Sequence, residues 1–178
     1  MNNPEELASP NRRALFRRLV KPKPVELPES IYPRAPWAQD NQTFLALCNR
    51  CNQCIDTCPQ RVIRRSEESH PVLEGLPVLS LDYGRCTFCS QCVDQCPTGA
   101  LDKEDGRRIQ AVARVSGHCQ LTLNQPCDFC MDACEKDAIR IEDQRVQIDE
   151  TLCTGCGECS LDCYDRAITL HKPEAFRT

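Results

Sequence analysis

Sixteen cysteines stand in this 178-residue chain, and they fall into four groups of four. The first is Cys48, Cys51, Cys54 and Cys58, followed by Pro59. The second is Cys86, Cys89, Cys92 and Cys96, followed by Pro97. Both read C-x2-C-x2-C-x3-C-P. The fourth group, Cys153, Cys156, Cys159 and Cys163, keeps that spacing, with Tyr164 in the proline's place. The third is stretched. Cys127, Cys130 and Cys134 keep the C-x2-C-x3-C end, but the leading Cys119 lies eight residues before Cys127, and Glu135 replaces the proline.

This spacing suits one chemistry above others, the binding of [4Fe–4S] cubanes. Three thiolates two residues apart let a tight loop turn around one face of the cubane, each reaching a different iron. The fourth cysteine faces away and ligates the other cluster of a two-cluster unit. It is expected at the start of a helical turn. A following proline suits that position because its φ is pre-set, and Gly155 and Gly157 permit close approach of backbone to cluster. Zinc is the blander reading of a Cys-x2-Cys pair, but a zinc ribbon uses two pairs on a long arm. The expectation is four [4Fe–4S] clusters held by all sixteen cysteines.

The segments between the groups indicate which motifs pair. The 18 residues from Glu135 to Leu152 contain Ile139-Arg-Ile141, a polar turn, and Arg145-Val146-Gln-Ile148 with alternating apolar positions. That pattern predicts a hairpin. Between Cys58 and Cys86 the same plan recurs with a longer middle, from Val62-Ile63 to Val78-Leu79-Ser-Leu81. Adjacent motifs are therefore expected to pair. Cluster one takes Cys48, Cys51, Cys54 and Cys96; cluster two takes Cys86, Cys89, Cys92 and Cys58. Cluster three takes Cys119, Cys127, Cys130 and Cys163; cluster four takes Cys153, Cys156, Cys159 and Cys134. Nested pairing, one with four and two with three, is the alternative.

Composition agrees with a metal-held fold. Leu, Ile, Val and Phe make up about a fifth of the chain, near the boundary below which chains fail to fold. Small scaffolds short of apolar mass take stability from disulfides or metals. No apolar run near the start has the length of a secretory h-region, so a reducing, cytoplasmic setting is expected, where thiols stay free for metal. The expected class is α+β: two tandem ferredoxin-like 2[4Fe–4S] units with an extended N-terminal arm. The divisions are a basic, Pro-rich arm at 1–36, unit one at 37–102, a linker at 103–118, unit two at 119–172 and a tail at 173–178.

The arm carries Arg12, Arg13, Arg17, Arg18, Lys21 and Lys23 with no acid between them, while the chain as a whole has a net charge of −4. Arg12-Arg13-Ala-Leu15-Phe16 resembles a twin-arginine signal, but Lys21, Pro22, Lys23 and Pro24 follow in place of an apolar stretch. A solvated end or a docking helix for a partner protein fits better. The acidic body argues against nucleic acid, and no apolar run approaches a membrane span. Trp37 is expected to anchor the arm on unit one. His118, His70 and His171 read as loop histidines. No Gly-rich nucleotide loop or catalytic constellation is visible, so no enzymatic turnover is expected.

Taken together, these features resemble the NapF family, ferredoxin-type accessory proteins of periplasmic nitrate reductase systems. The resemblance rests on the order of the four groups, the stretched third group with its Cys134-Glu135 ending, and the lead-in Pro33-Arg-Ala-Pro36-Trp37, then Phe44-Leu45. It implies a cytoplasmic protein that contacts the catalytic subunit of the reductase before export and assists its maturation. A soluble electron carrier, or an electron-transfer subunit of a redox complex, is the alternative. In either case Cys51→Ser is expected to remove one cluster's worth of iron and destabilise unit one, since metal binding here is folding energy. Anaerobic iron and acid-labile sulfide analysis reads the loss directly.

Overall fold

The computed structural model describes residues 32–172. The basic segment of the arm lies outside them. Among the described residues, five short α-helices and six strands alternate with long irregular loops. The helices are α1 (Asn41–Leu47), α2 (Gln53–Asp56), α3 (Gln91–Asp94), α4 (Phe129–Asp132) and α5 (Glu158–Leu161). The strands are β1 (Ile63–Arg65), β2 (Pro77–Leu79), β3 (Val112–Val115), β4 (Ile139–Glu142), β5 (Arg145–Ile148) and β6 (Ile168–His171). They form three two-stranded antiparallel sheets, β1–β2, β3–β6 and β4–β5.

The sheets follow one plan twice. Within each half a central pair joins the two cysteine motifs, β1–β2 in the first and β4–β5 in the second. In β4–β5, Ile139 pairs with Ile148 and Ile141 with Val146. This is the hairpin that the alternation of Val146 and Ile148 predicts. A second pairing then closes each half by joining the segment before its first motif to the segment after its last. In the second half this is β3–β6, with Val112 opposite His171 and Val115 opposite Ile168. In the first it shrinks to a single bridge, Ala38 to Leu101. Two-stranded ribbons are marginal in water by themselves, so what they enclose must hold them.

The apolar cores are unequal. The first half packs Phe44, Leu73, Leu76, Leu79 and Leu101 around Trp37 and Ala35. The enlarged connection between β1 and β2 supplies Leu73 and Leu76. The second half has a core of Ala113, Cys130, Ile139, Cys159 and Ile168, so two of its five buried members are cysteines. Helix α1 leads into the first motif. Asp40 caps it, accepting from the N–H groups of Gln42 (3.0 Å) and Thr43 (3.1 Å). These bonds, the one from the Thr43 side chain above all, hold the Asp40 carboxyl below its ordinary range.

Two differences from the sequence reading have clear causes. The segment 103–118, expected to be a linker with a polar turn at Lys103–Arg108 and a short strand at Ala111-Val112-Ala113, keeps both features but is more deeply buried than a linker. Ile109, Ala111 and Val112 are fully buried, and Val112–Val115 becomes strand β3. The polar run Lys103–Arg108 masks a short apolar stretch that serves as the seam between the halves. The helical turn also lies earlier than expected. Helices α2 to α5 each contain the third cysteine of a motif and end before the fourth, and in the first three motifs the N–H of the fourth closes the turn, as in Cys134 N–H to Met131 O (3.0 Å) and Cys96 N–H to Val93 O (3.2 Å).

The seam is tight. Ile109 N–H donates to Thr154 O (3.2 Å), Arg108 Nη2 to Glu150 O (2.7 Å), and Arg85 forms an ion pair with Glu158. A Cβ on Gly155 would lie 2.4 Å from the Ala111 carbonyl oxygen, and Gly155 has φ +73°. Gly99 has the same φ with open space around it. Gly155→Ala must therefore push the halves apart, whereas Gly99→Ala bears only the left-handed penalty of about 1–2 kcal/mol. Thermal unfolding should rank Gly155→Ala well below Gly99→Ala; equal midpoints would contradict the close packing of the seam.

Candidate functional site

All sixteen cysteines lie among the described residues, and all are free thiols. The folded chain gathers them into four quartets. Cys54 lies close enough to Cys48, Cys51 and Cys96 to feel their charge. Cys86 is close to Cys58 and Cys89, and Cys92 to Cys86 and Cys58. Cys130 faces Cys127, Cys163 and Cys119. Cys159 faces Cys153, Cys156 and Cys134. Cys58 therefore stands beside Cys86 and not beside Cys119, which is adjacent pairing. Each quartet takes three thiols from one motif and the fourth from its neighbour.

Three of the quartets line cavities. The second surrounds a hollow walled by Pro36, Trp37, Val62, Ile63, Leu79 and Phe88. The third lines one with Leu121, Phe129, Val146 and Ile168. The fourth opens on a larger cavity that Cys86, Phe88, Arg107 and Leu170 also border. Apolar walls exclude water from whatever the thiolates hold, and burial is one of the levers that set a cluster's potential. Trp37 is buried, its ring edge-on to Phe88 at 6.3 Å between centroids.

Burial also makes these thiols poor anions without metal. Desolvation, followed by the charge of neighbouring thiols, pushes Cys54, Cys92 and Cys159 up to about 12. Cys130 and Cys86 rise to about 11, again chiefly by desolvation. Cys96 is the exception. Burial drives it up, but the backbone N–H groups of Leu101, Thr98 and Ala100 outweigh that and bring it below the ordinary thiol value. A site built to hold thiolates needs positive charge at its centre, and iron supplies that.

The backbone is shaped toward the sulfurs in a way the cysteine spacing does not reveal. Three residues after the last cysteine of every motif stands a left-handed residue: Arg61 (φ 52°), Gly99 (φ 73°), Asp137 (φ 50°) and Arg166 (φ 50°). In the second, third and fourth motifs the turn aims the next N–H groups back at the thiol. Ala138 N–H lies 3.4 Å from Cys134 Sγ, Ala167 N–H 3.2 Å from Cys163 Sγ, and Leu101 N–H 3.5 Å from Cys96 Sγ. The residue after each turn is Val62, Ala100, Ala138 or Ala167, all buried. This recurring small apolar residue, four positions past each closing cysteine, is the one sequence signal that could have revealed the turn.

Left-handed residues also flank the middle cysteine of each regular motif: Arg50 and Asn52, Phe88 and Ser90, Gly155 and Gly157. Alternating backbone of this kind makes a nest of N–H groups suited to an anion. The N–H of Arg50 bonds to Cys48 and that of Phe88 to Cys86. The third motif is built differently. Pro126 precedes Cys127, and Asp128 has φ −132°. The seven residues between Cys119 and Cys127 contain a 3₁₀ turn, Gln120–Leu123, which buries Leu121, exposes Leu123, and ends on left-handed Asn124.

The quartets are neighbours in a set order. The first meets the second through Cys54 and Cys92. The second meets the fourth across the seam, where Cys86 N–H donates to Cys156 O (2.9 Å). The fourth meets the third through Cys159 and Cys130. The spatial order is thus first, second, fourth, third. His70, His118 and His171 are exposed and stand outside the quartets.

Residues 47–100 match the 4Fe-4S dicluster domain, and residues 146–169 the 4Fe-4S binding domain. With sixteen free thiols in quartets, this defines a ferredoxin-type iron–sulfur protein that binds multiple [4Fe–4S] clusters, a class that carries electrons. The chain is 36% identical over 160 residues to an uncharacterized protein of Haemophilus influenzae, covering 90% of each chain. It is 34% identical over 144 residues to the ferredoxin-type protein NapF of the same organism, covering 78% of each. It is also 32% identical over 147 residues to the methylamine utilization ferredoxin-type protein MauM of Paracoccus denitrificans, covering 73% of this chain and 66% of MauM. The chain belongs to the NapF family of ferredoxin-type proteins.

The exchange of closing cysteines has a spectroscopic consequence. Cys58→Ser is expected to perturb the same cluster as Cys89→Ser, and Cys96→Ser the same cluster as Cys51→Ser. EPR of the four reduced variants checks this. Loss of the same signal in Cys58→Ser and Cys51→Ser would contradict the exchange.

Proposed function

We propose that each quartet ligates one [4Fe–4S] cluster through its four cysteines, and that the chain serves as a four-cluster electron carrier. Its partner is the catalytic subunit of a periplasmic nitrate reductase, met in the cytoplasm before export, whose maturation it assists. The observation that carries the reading is the unbroken row of quartets, with Cys86 and Cys156 bonded backbone to backbone at its middle. Clusters held there would each take up and release single electrons. The chain's own residues hold the thiolates, direct N–H groups at them, and keep water out with Trp37, Phe88 and Leu121. Neither role requires a catalytic side chain. Membership of the NapF family supports this partner, and the cytoplasmic setting fits thiols that must remain reduced. Among the described residues no helix is long and apolar enough to cross a membrane.

The likeness to MauM favours a second reading, in which the same row of quartets serves a different redox system as a freely exchanging carrier. The two readings separate by experiment. An accessory protein should co-purify with the immature catalytic subunit and lose it when residues 1–20 are deleted, while its iron content stays intact. Rapid electron exchange with several redox proteins and no stable complex would support the carrier instead. Anaerobically purified protein that is folded, colourless and iron-free would overturn both.

A further inference from the structure

Arg34 is the only charged side chain buried among the described residues, 7% exposed. Its backbone is firmly placed, because neighbouring Pro33 accepts from Leu79 N–H at 2.8 Å and Ala35 and Pro36 are buried. Its guanidinium carbon lies 4.6 Å from the centre of the Phe44 ring. Neither Nη1 nor Nη2 has a hydrogen-bond partner. A buried guanidinium with idle donors is costly unless an anion answers it. Two anionic groups feel its charge, Cys48 and Glu68. Phe44 stands one helical turn before Cys48, whose N–H it accepts at 2.9 Å. The cation is thus stacked on the ring that supports the first quartet.

The other cation near Cys48 is Arg50, and its situation differs. Arg50 is exposed, and it donates to Glu74 O at 3.1 Å and Val72 O at 2.8 Å. Water and those carbonyls screen it. Arg50 exerts the larger pull on Cys48, but Arg34 is desolvated, so its charge is less screened by water. Among the described residues no other quartet has a buried cation beside it.

We propose that Arg34 is a built-in counter-cation for the first quartet, raising the reduction potential of the cluster held by Cys48, Cys51, Cys54 and Cys96. This rests on the reading that the quartet binds a cluster. A thiolate-ligated cubane becomes more negative when it gains an electron, and net charge and burial are levers on its potential. A fixed cation stabilises the reduced form more than the oxidised one. Glu68, whose charge the guanidinium also feels, opposes that effect. Arg34 touches no reacting atom in this role; it is a positioning residue that acts through charge.

The test uses full-length protein reconstituted anaerobically and titrated with dithionite while EPR follows each cluster. The signal of the first quartet is identified as the one that Cys51→Ser removes. Arg34→Gln should lower that midpoint alone, by at least tenfold in the reduction equilibrium, about 59 mV for one electron. Arg34→Lys should largely restore it, and Glu68→Gln should raise it. Added salt should leave the Arg34→Gln shift in place, since a buried charge is little screened. Four clusters present with unmoved potentials in Arg34→Gln would overturn the proposal, as would an equal shift of all four. Iron content unchanged by Cys51→Ser would instead sink the ligand assignment beneath it.

Discussion

Sixteen thiols gathered into four quartets repel one another as anions, and the buried ones resist ionisation. The fold depends on resolving that conflict, and iron–thiolate bonding resolves it. The second half makes the dependence plain, since Cys130 and Cys159 are two of the five residues in its core. Its sheets are two-stranded and its helices are single turns of four residues. In the first half, the extended connection after β1 adds Leu73 and Leu76, so side-chain packing takes a larger share there.

The backbone shares in this. Residues with Cβ atoms occupy left-handed conformations at Arg50, Asn52, Phe88 and Ser90, around the middle cysteines of the first two motifs, and at Arg61, Asp137 and Arg166 beyond the closing cysteines. Such conformations cost about 1–2 kcal/mol each, and they concentrate where surrounding structure over-determines them. At Arg50, Phe88, Asp137 and Arg166 the product is an N–H group aimed at sulfur. Strain and binding are two sides of one arrangement, because the same turn that is costly in the bare chain supplies the donor that a bound thiolate needs.

Much of this was legible in the sequence, and what was not has physical reasons. The spacing C-x2-C-x2-C-x3-C pointed to the exchange of closing cysteines, and the hairpin patterns between motifs favoured adjacent over nested pairing. The alternation of Val146 and Ile148 revealed the β4–β5 hairpin. The β3–β6 pairing was hidden because its partners are far apart in the chain, and β3 begins after a polar run. The left-handed turns at Arg61, Asp137 and Arg166 carry no glycine to announce them. Arg34 looked like one more basic residue of a proline-rich lead-in; its burial follows from the pinning of Pro33 and Pro36, which only the folded chain displays.

The stretched third motif gives the molecule unlike extremities. The seam joins corresponding sites, the second and fourth quartets, so the middle of the row is nearly a repeat meeting itself. The outer sites have diverged. One is reached past the buried Arg34–Trp37 lead-in, while the other is bordered by exposed Phe129 and Tyr164, with exposed Leu123 on the 3₁₀ insertion. A duplicated scaffold has in this way acquired a direction: its two poles offer different faces to whatever approaches them, although the machinery between them is the same.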